Sequence, residues 1–513
     1  MIAVGEEKLD LKDVISILYD KAEVSLTDTL IKRAENNFNF LREFSKDKVI
    51  YGIHTGFGPM AQYRIPYADR LALQYNLIKS HASGSGKPID EIFSRAMLLD
   101  RLNTLAQCKS GVHPDLLVLI KDMLNKGLSP VIYEHGGVGA SGDLVQLAHM
   151  ALAIIGEGEI MQDGKIYPAD KILKKHKLTP FAIRLREGLA LMNGTSCMTG
   201  IGLVNLIYAK KLLSFSMLSS VTINELFGAF DDHISAELNQ VKLHEGQNKV
   251  AAIMRNIVAG SKLMRNRQEY LYKSTDETHF KEKVQEYYSL RCMPQILGPV
   301  YDTIAHTEKI LMDELNSVSD NPVVDEEAQN IFHGGNFHGD YVALEMDKLK
   351  IAITKLSMLA ERQLNYLLND KLNLKLPPFI NTGTIGLNFG IQGIQYTATS
   401  TVAENKSLSN PVYVHSIPSN NDNQDIVSMG SNAALMTAKV IENSFEVMSV
   451  HMLAIAEAVD ALDKSEELSS APQKLYQDIR KISAKLDADV PKYNELRAIK
   501  NYLQSRESHF AFI

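Results

Sequence analysis

The sequence predicts a mainly α-helical fold. Residues 1–200 read as a mixed N-terminal domain carrying an Ala140-Ser141-Gly142 loop, and residues 201–513 as a bundle of long helices with a C-terminal helical region. Two observations predict this. Beyond about residue 200, apolar positions hold three- and four-residue spacing over unusually long stretches, whereas before it helical runs alternate with glycine-rich loops and short β-prone runs. The composition, 45% hydrophobic and 22% charged over 513 residues, is that of an ordinary globular chain and excludes the disordered and fibrous classes.

With 54 basic against 61 acidic residues the net charge is −7, and there is no long basic run, so nucleic acid is not an expected partner. Cys108, Cys197 and Cys292 are odd in number and widely spaced, which suggests neither a disulfide framework nor a zinc set, and a cytoplasmic location is expected. The opening MIAVGEEKLDLKD lacks the basic and apolar regions of a secretory leader. The longest uncharged run, 188–209, is interrupted by Asn193, Thr195, Ser196 and four glycines, so no membrane partner is expected.

From residue 9 to 44 the pattern is helical, with polar turns between. Residues 49–53 form a short β-prone run that breaks into a loop where Tyr51, His54 and Phe57 stand among Gly52, Gly56 and Gly58. Such a loop suits backbone that bends sharply or approaches a ligand, and equally a surface loop with a buried tyrosine. Residues 71–86 read as a helix ending in Ser80-His81 and a Ser/Gly loop, where a lone histidine would ordinarily cap or pack.

Next comes EHGGVGASGDLVQLAHM, residues 134–150, for which two chemistries compete. Gly137, Gly139 and Gly142 spell G-x-G-x-x-G after a short apolar run, with Asp163 downstream at a spacing suited to a ribose hydroxyl, the pattern of a dinucleotide-binding oxidoreductase. Two residues oppose it. Asp143 would lie in the first turn of the following helix and repel a pyrophosphate, and Asp163-Gly164 fits better as a hairpin corner within EIMQDGKIY. The second chemistry is covalent. Neither Ala140 nor Gly142 has bulk to stop the Gly142 nitrogen attacking the Ala140 carbonyl carbon, and loss of water from the ring and from Ser141 leaves a methylidene electrophile built from backbone.

Residues 144–156 have the periodicity of a buried helix, and the apolar run beginning at 186 stops at Asn193-Gly194, a turn signal. Residues 339–369 contain no internal Gly or Pro, with Leu344, Leu349, Ile353, Leu356, Leu364 and Leu367 in helical register, and 424–462 is broken only by Gly430. Helices of this length need long partners, which implies a large bundle completed by other subunits, since heptads are not maintained.

In VQEYYSLRCMPQILGP, Gln285, Tyr288 and Arg291 are three residues apart, which a helix would place on one face, although Pro294 ends any helix nearby. An arginine suits a carboxylate, but a surface pair with Glu282 or Glu286 fits as well. His333 and His338, like Asp231-Asp232-His233, lack a third ligand at suitable spacing, so no metal is expected. Asn423-Gln424-Asp425 reads as the N-terminal cap of the last long helix.

GGVGASGDLVQLAHM resembles the signature of the histidine, phenylalanine and tyrosine ammonia-lyases and their aminomutase relatives, with Gln146 where members typically have proline. YGIHTGFG, VQEYYSLRCMPQ, SVSDNPVV, HGGNFHGDYVALE and the segment around NQD resemble further motifs of the same family, over almost the full chain. The resemblance implies the family's fumarase/aspartase-like architecture and a homotetramer with shared active sites. It also implies a 4-methylidene-imidazol-5-one (MIO) group formed autocatalytically from Ala140, Ser141 and Gly142, without metal or nucleotide. Tyr51 becomes the general base, Asn193 a neighbour of the ring, Arg291 the substrate-carboxylate partner, and Gln285 and Tyr288 members of the reacting centre. Phe337 lies against the ring, Ser80-His81 occupies the selectivity position, and Gln392 and Gln424 face the substrate. His54, where members often carry Asn, receives no role.

Removing ammonia from an α-amino acid needs an electrophile to capture the poor leaving group and a base for a barely acidic β-hydrogen. For the substrate the motifs conflict. Ser80-His81 resembles the histidine lyases, yet Gln424 stands where those enzymes have the glutamate that an imidazole N–H would want, and Gln392 where they often have Met. A phenol both donates and accepts, and a neutral His81 can match it. L-Tyrosine to trans-4-coumarate is therefore expected, the motif spelling being nearest the flavobacterial-type bacterial tyrosine ammonia-lyases. Histidine ammonia-lyase, forming urocanate, is the alternative, followed by tyrosine 2,3-aminomutase.

Overall fold

The computed structural model describes residues 1–280, 283–505 and 510–513. The chain is mainly helical and divides into two compact units. The first comprises Met1–Ile207, Thr307–Asp347 and Pro411–Ala438; the second comprises Tyr208–His306, Lys348–Asn410 and Lys439–Ile513. The change of character near residue 200 thus falls close to the end of one segment, and each unit draws in later stretches as well.

In the first unit, helices Leu11–Leu18 and Asp28–Phe44 begin where side chains satisfy free amides: Asp10 accepts from Asp13 N at 2.9 Å and Thr27 from Leu30 N at 3.1 Å. The second of these helices buries Leu41 in a cluster with Ile50, Ile53, Val324 and Ile331. That burial explains why the β-prone run 49–53 is not a strand. Ile50 and Ile53 are used as core residues on a turn, where Ile53 and His54 both donate to Ile50 O, at 3.2 and 3.0 Å. Helix Arg70–His81 packs against Leu144–Ile154 and Glu187–Met192, so three helices meet beside the Ala-Ser-Gly loop.

The strands are short. Glu159–Gln162 and Lys165–Pro168 form the expected hairpin, turned by Asp163 and Gly164 at φ 52° and 72°, as a two-residue I′-type turn requires. Tyr133–His135 pairs antiparallel with Ser85–Pro88. Within the described sheets the parallel pairing is that of Ile2–Ala3 with Val24–Ser25, so the glycine-rich stretch has no parallel strand–helix–strand unit around it.

The longest helices are Ser196–Phe227, Asp340–Leu368 and Gly430–Leu462. The first is long and apolar enough to cross a membrane, and 83% of its apolar window is buried within the protein. The last begins six residues later than the sequence suggests. Asn420, Asn421 and Asp422 adopt left-handed φ of 56°, 52° and 57°, as does Met429 at 56°, so Asn423-Gln424-Asp425 lies on a turn and caps no helix.

In the second unit, Ser469 anchors helix Ser470–Ile482 by donating from its amide and hydroxyl to buried Glu225, both at 3.0 Å. Arg480 of that helix bonds Glu457 at 3.0 Å and Asp460 at 2.6 Å. The helix that carries Arg291 spans Tyr288–Arg291, so Gln285 precedes it and the shared helical face does not form. Helix Tyr288–Arg291 stops three residues before Pro294, and Pro294 itself sits in the first turn of the next helix, Met293–Leu315, where its missing N–H costs nothing.

Candidate active site

The first unit folds around the tripeptide. Gly139, Ser141 and Gly142 all have left-handed φ, of 75°, 56° and 78°. For a serine this conformation costs roughly 1–3 kcal/mol, so its surroundings must impose it. They do so from several sides. Asn193 Nδ2 donates to Ser141 O at 3.2 Å, Gln424 Nε2 donates to Ser141 Oγ at 2.9 Å, and Met429 N donates to Val138 O at 3.1 Å. Gly142 pairs with Gly194 as a parallel bridge, and Asp143 N donates to Gly194 O at 2.8 Å. A Cβ on Gly142 would collide with that carbonyl, and one on Gly139 with the Ser428 hydroxyl.

Asp143 does not lie in the first turn of its own helix. Its buried carboxylate accepts from Cys197 N and Met198 N, both at 2.9 Å, and from the Ser431 hydroxyl, thereby capping the N-terminus of Ser196–Phe227. Burial raises its pKa to about 6 despite the hydrogen bonds and nearby Arg101. Asp100, also buried, is pushed to about 7 by desolvation, with Glu314 adding repulsion. Between them Arg101 Nη1 donates to Asn193 O at 2.9 Å, and a Cβ on Gly194 would strike that guanidinium, so residue 194 must be glycine.

The loop of Tyr51 belongs to the same unit. Its hydroxyl accepts from Gly58 N at 3.1 Å, and its ring meets Phe57 edge-on at 6.0 Å. Buried Gln74 donates to Gly52 O at 2.8 Å and accepts from Leu189 N at 3.0 Å, tying this loop to the helix that ends beside Asn193. Gly58 presses so closely on the Asn420 side chain that no Cβ would fit. The turn 419–424 therefore touches the Tyr51 loop at one end and Ser141 at the other. His54 is buried with Nδ1 accepting from Ile50 N at 3.2 Å, a loop staple whose pKa is lowered chiefly by burial.

Ser80 and His81 end helix Arg70–His81, with His81 Nδ1 2.9 Å from Leu77 O and 3.0 Å from Ser80 Oγ. A carbonyl can only accept, so Nδ1 carries the proton and a neutral ring offers Nε2 as acceptor. Phe337 is half-buried on the turn before Asp340–Leu368.

The remaining candidates lie in the second unit. A cavity of about 670 Å³ is lined there by Gln285, Tyr288, Arg291, Arg362, Asn365 and Tyr366, among others. Arg291 stacks 4.8 Å from the Tyr288 ring centre and donates to Glu286 O at 2.7 Å. The Glu286 carboxylate is taken instead by Lys283 at 2.6 Å, and Glu282 lies outside the described residues. The guanidinium keeps donors for an incoming anion. Gln392 is the first residue of helix Gln392–Leu408.

These residues fit a ring built from the tripeptide: both neighbours of Ser141 are small, the backbone is already turned, and Asn193 Oδ1 is buried without a partner. A nucleotide does not fit the glycines, whose space is filled by Gln146, Ser428 and Gly194. Among the described residues, no three His, Cys, Asp or Glu side chains are grouped to hold a metal ion. Arg101 and Ser431 went unnoticed in the sequence. An Asp-Arg pair inside the apolar run AMLLDRLNTLA is the signal that marks the first, whereas Ser431 looks like any helix-start serine.

The profile of the aromatic amino acid lyase family matches residues 9–481. Tyrosine 2,3-aminomutase of Myxococcus sp. (strain Mx-B0) is 38% identical over 499 residues, covering 96% of this chain and 93% of that protein. Histidine ammonia-lyase of Bacillus subtilis (strain 168) is 38% identical over 491 residues, covering 95% and 94%. The crystal structure of tyrosine aminomutase from Streptomyces globisporus matches with a TM-score of 0.94 at 35% identity, over 99% of this chain and 97% of that one. These relatives carry aminomutase and histidine-lyase names, whereas the motif spelling pointed to tyrosine ammonia-lyases. The turned and clamped tripeptide, the helical fold and these matches together make the chain a member of the aromatic amino acid lyase family, an enzyme acting as a carbon–nitrogen lyase.

Proposed function

We propose that the enzyme removes ammonia from L-tyrosine to give trans-4-coumarate, using an MIO group made from its own Ala140-Ser141-Gly142. The observation that carries this reading is the gathering, within one unit, of the clamped tripeptide, Asn193, Gln424 and the Tyr51 loop around the turn 419–424. The imidazolone supplies an electrophilic carbon for the amine, which no ordinary side chain offers.

Tyr51 removes the β-hydrogen, with its phenol oriented by the Gly58 amide. Arg291 holds the substrate carboxylate with a planar fork, and Gln285, Tyr288, Phe337 and Asn193 orient the reacting atoms. Ser80-His81, Gln392 and Gln424 read the side chain. With Nδ1 turned to Leu77 O, His81 presents Nε2 to the phenolic hydroxyl, and a site built to bond that hydroxyl discriminates strongly against phenylalanine.

The tyrosine 2,3-aminomutase relative supports a second reading, in which ammonia returns to the β-carbon and the product is β-tyrosine. The histidine lyase relative supports a third, which the neutral Gln424 disfavours. Tyr341, Leu344 and Ile351, exposed on helix Asp340–Leu368, support burial of this face by further copies of the chain, in keeping with the homotetramer we propose.

Separate incubations with L-tyrosine, L-histidine and L-phenylalanine, followed by ultraviolet absorbance and by chromatography of amines, test the choice. Coumarate should dominate. Urocanate as the main product would transfer the assignment to histidine, and β-tyrosine would make the enzyme a mutase.

A further inference from the structure

If the tripeptide cyclises, the Ser141 hydroxyl is a leaving group, and hydroxide leaves poorly without a donor on its oxygen. The structure supplies one. Gln424 Nε2 donates to Ser141 Oγ at 2.9 Å, across 283 residues of sequence. Gln424 is itself fixed from behind. Ser419 and Gln424 form an antiparallel bridge, with Ser419 N donating to Gln424 O at 3.1 Å and Gln424 N to Ser419 O at 3.3 Å. Asn420, Asn421 and Asp422 close the turn between them in left-handed conformation. The Ser419 hydroxyl donates to Gln424 Oε1 at 3.4 Å, which sets the amide with its nitrogen towards Ser141.

The same segment grips the loop on both sides of the serine, Met429 N bonding Val138 O at 3.1 Å and the Ser431 hydroxyl bonding Asp143. Asn193 Nδ2 meanwhile holds the Ser141 carbonyl at 3.2 Å. The serine is thus restrained at its backbone while a single amide addresses its hydroxyl.

We propose that Gln424 is a catalytic residue of maturation, assisting departure of the Ser141 oxygen before any substrate is met. This role rests on the cyclisation reading above. The atoms balance as two dehydrations without redox change. In one, a bond forms from Gly142 N to the Ala140 carbonyl carbon, and the Ala140 oxygen leaves as water with the Gly142 and Ser141 amide hydrogens. In the other, the Ser141 Cβ–Oγ bond breaks, the Cα–H electrons become the Cα=Cβ double bond, and the Cα proton leaves with the hydroxyl as water. Gln424 acts in the second, donating to the oxygen that accumulates negative charge, as oxyanion-binding amides do.

The test follows the intact mass of the full chain under denaturing conditions during cell-free synthesis. Wild type should settle two waters below its sequence mass. Gln424→Ala and the similarly sized Gln424→Leu, neither of which has a donor to offer, should fold, as judged by circular dichroism and melting, yet lose the second water about a hundredfold more slowly. A Ser141→Cys background separates this chemistry from a merely structural role. A thiol, with pKa near 8.5, is a far better leaving group, so the lag caused by Gln424→Ala should shrink at least about tenfold there. Loss of both waters at the wild-type rate in both Gln424 variants would overturn the proposal, as would an equal lag in the serine and cysteine backgrounds. A wild-type chain at its full sequence mass would overturn the cyclisation itself and this role with it.

Discussion

Gly142 sits where neither space nor conformation allows a side chain: its φ is 78° and a Cβ would collide with Gly194 O. Gly142→Ala is expected to destabilise the protein by about 2–4 kcal/mol and to leave the chain at its full sequence mass, measured by thermal melting and intact-mass spectrometry. Arg101 acts at one remove, through the carbonyl of Asn193. Arg101→Met should lower kcat by about a hundredfold with little change in KM, and it should cost about 3–5 kcal/mol of stability because Asp100 and Asp143 lose their buried cation. Steady-state kinetics with parallel melts checks both effects, and an unchanged kcat would refute the positioning role. At this scale the sequence was readable where chemistry is local. The small residues of 139–142 marked a stretch that turns sharply, and Asn193, named from motif resemblance, stands 3.2 Å from Ser141 O. Arg101 was not readable, because its meaning lies in a carbonyl 92 residues away.

Among the elements, helix Arg70–His81 does more than end in Ser80 and His81. Gln74, fully buried, joins Gly52 O to Leu189 N and so connects the Tyr51 loop with the helix leading into Asn193. Gln74→Ala leaves both backbone groups dry, at about 1–3 kcal/mol each, and is expected to lower kcat more than it raises KM; a variant that melts lower but turns over normally would contradict that coupling. The long and strongly periodic helix expected over 339–369 is present as Asp340–Leu368, because a continuous apolar face is written in one stretch of chain. Short elements were read less well. The apolar residues of 49–53 serve a core instead of a ladder, and Asn423-Gln424-Asp425 occupies a turn made by three left-handed residues before it. Asn and Asp tolerate that conformation, so SNNDN held the signal, but an N-cap uses the same residue types and only tertiary contacts decide between them.

For the molecule as a whole, buried charge should govern how stability varies with pH. Asp100 and Asp143 have folded-state pKa values of about 7 and about 6, above the unfolded value of about 3.9. Between pH 4 and 7 the folded chain retains protons that the unfolded chain has released, so these groups make stability fall as pH rises through that window and level off above it. Melting temperatures from pH 4 to 8 should show a shallower decline for Asp100→Asn than for wild type; an identical slope would count against this account. Arg186 and Asp320 form a fully buried pair at 2.9 Å, and the arginine also donates to Ser110 O and Asn321 O. Asp320→Ala is expected to cost about 3–5 kcal/mol, measured by denaturant titration, because it strands the guanidinium. Two of the partners that hold the stretch around the tripeptide, Gln424 on Ser141 and Ser431 on Asp143, come from 283 and 288 residues further along the chain. A ribosome that has finished the tripeptide has still to make Gln424 and Ser431, so a chain cut short before them lacks both contacts, and any chemistry that depends on the complete clamp must wait until these distant residues have been made and folded back.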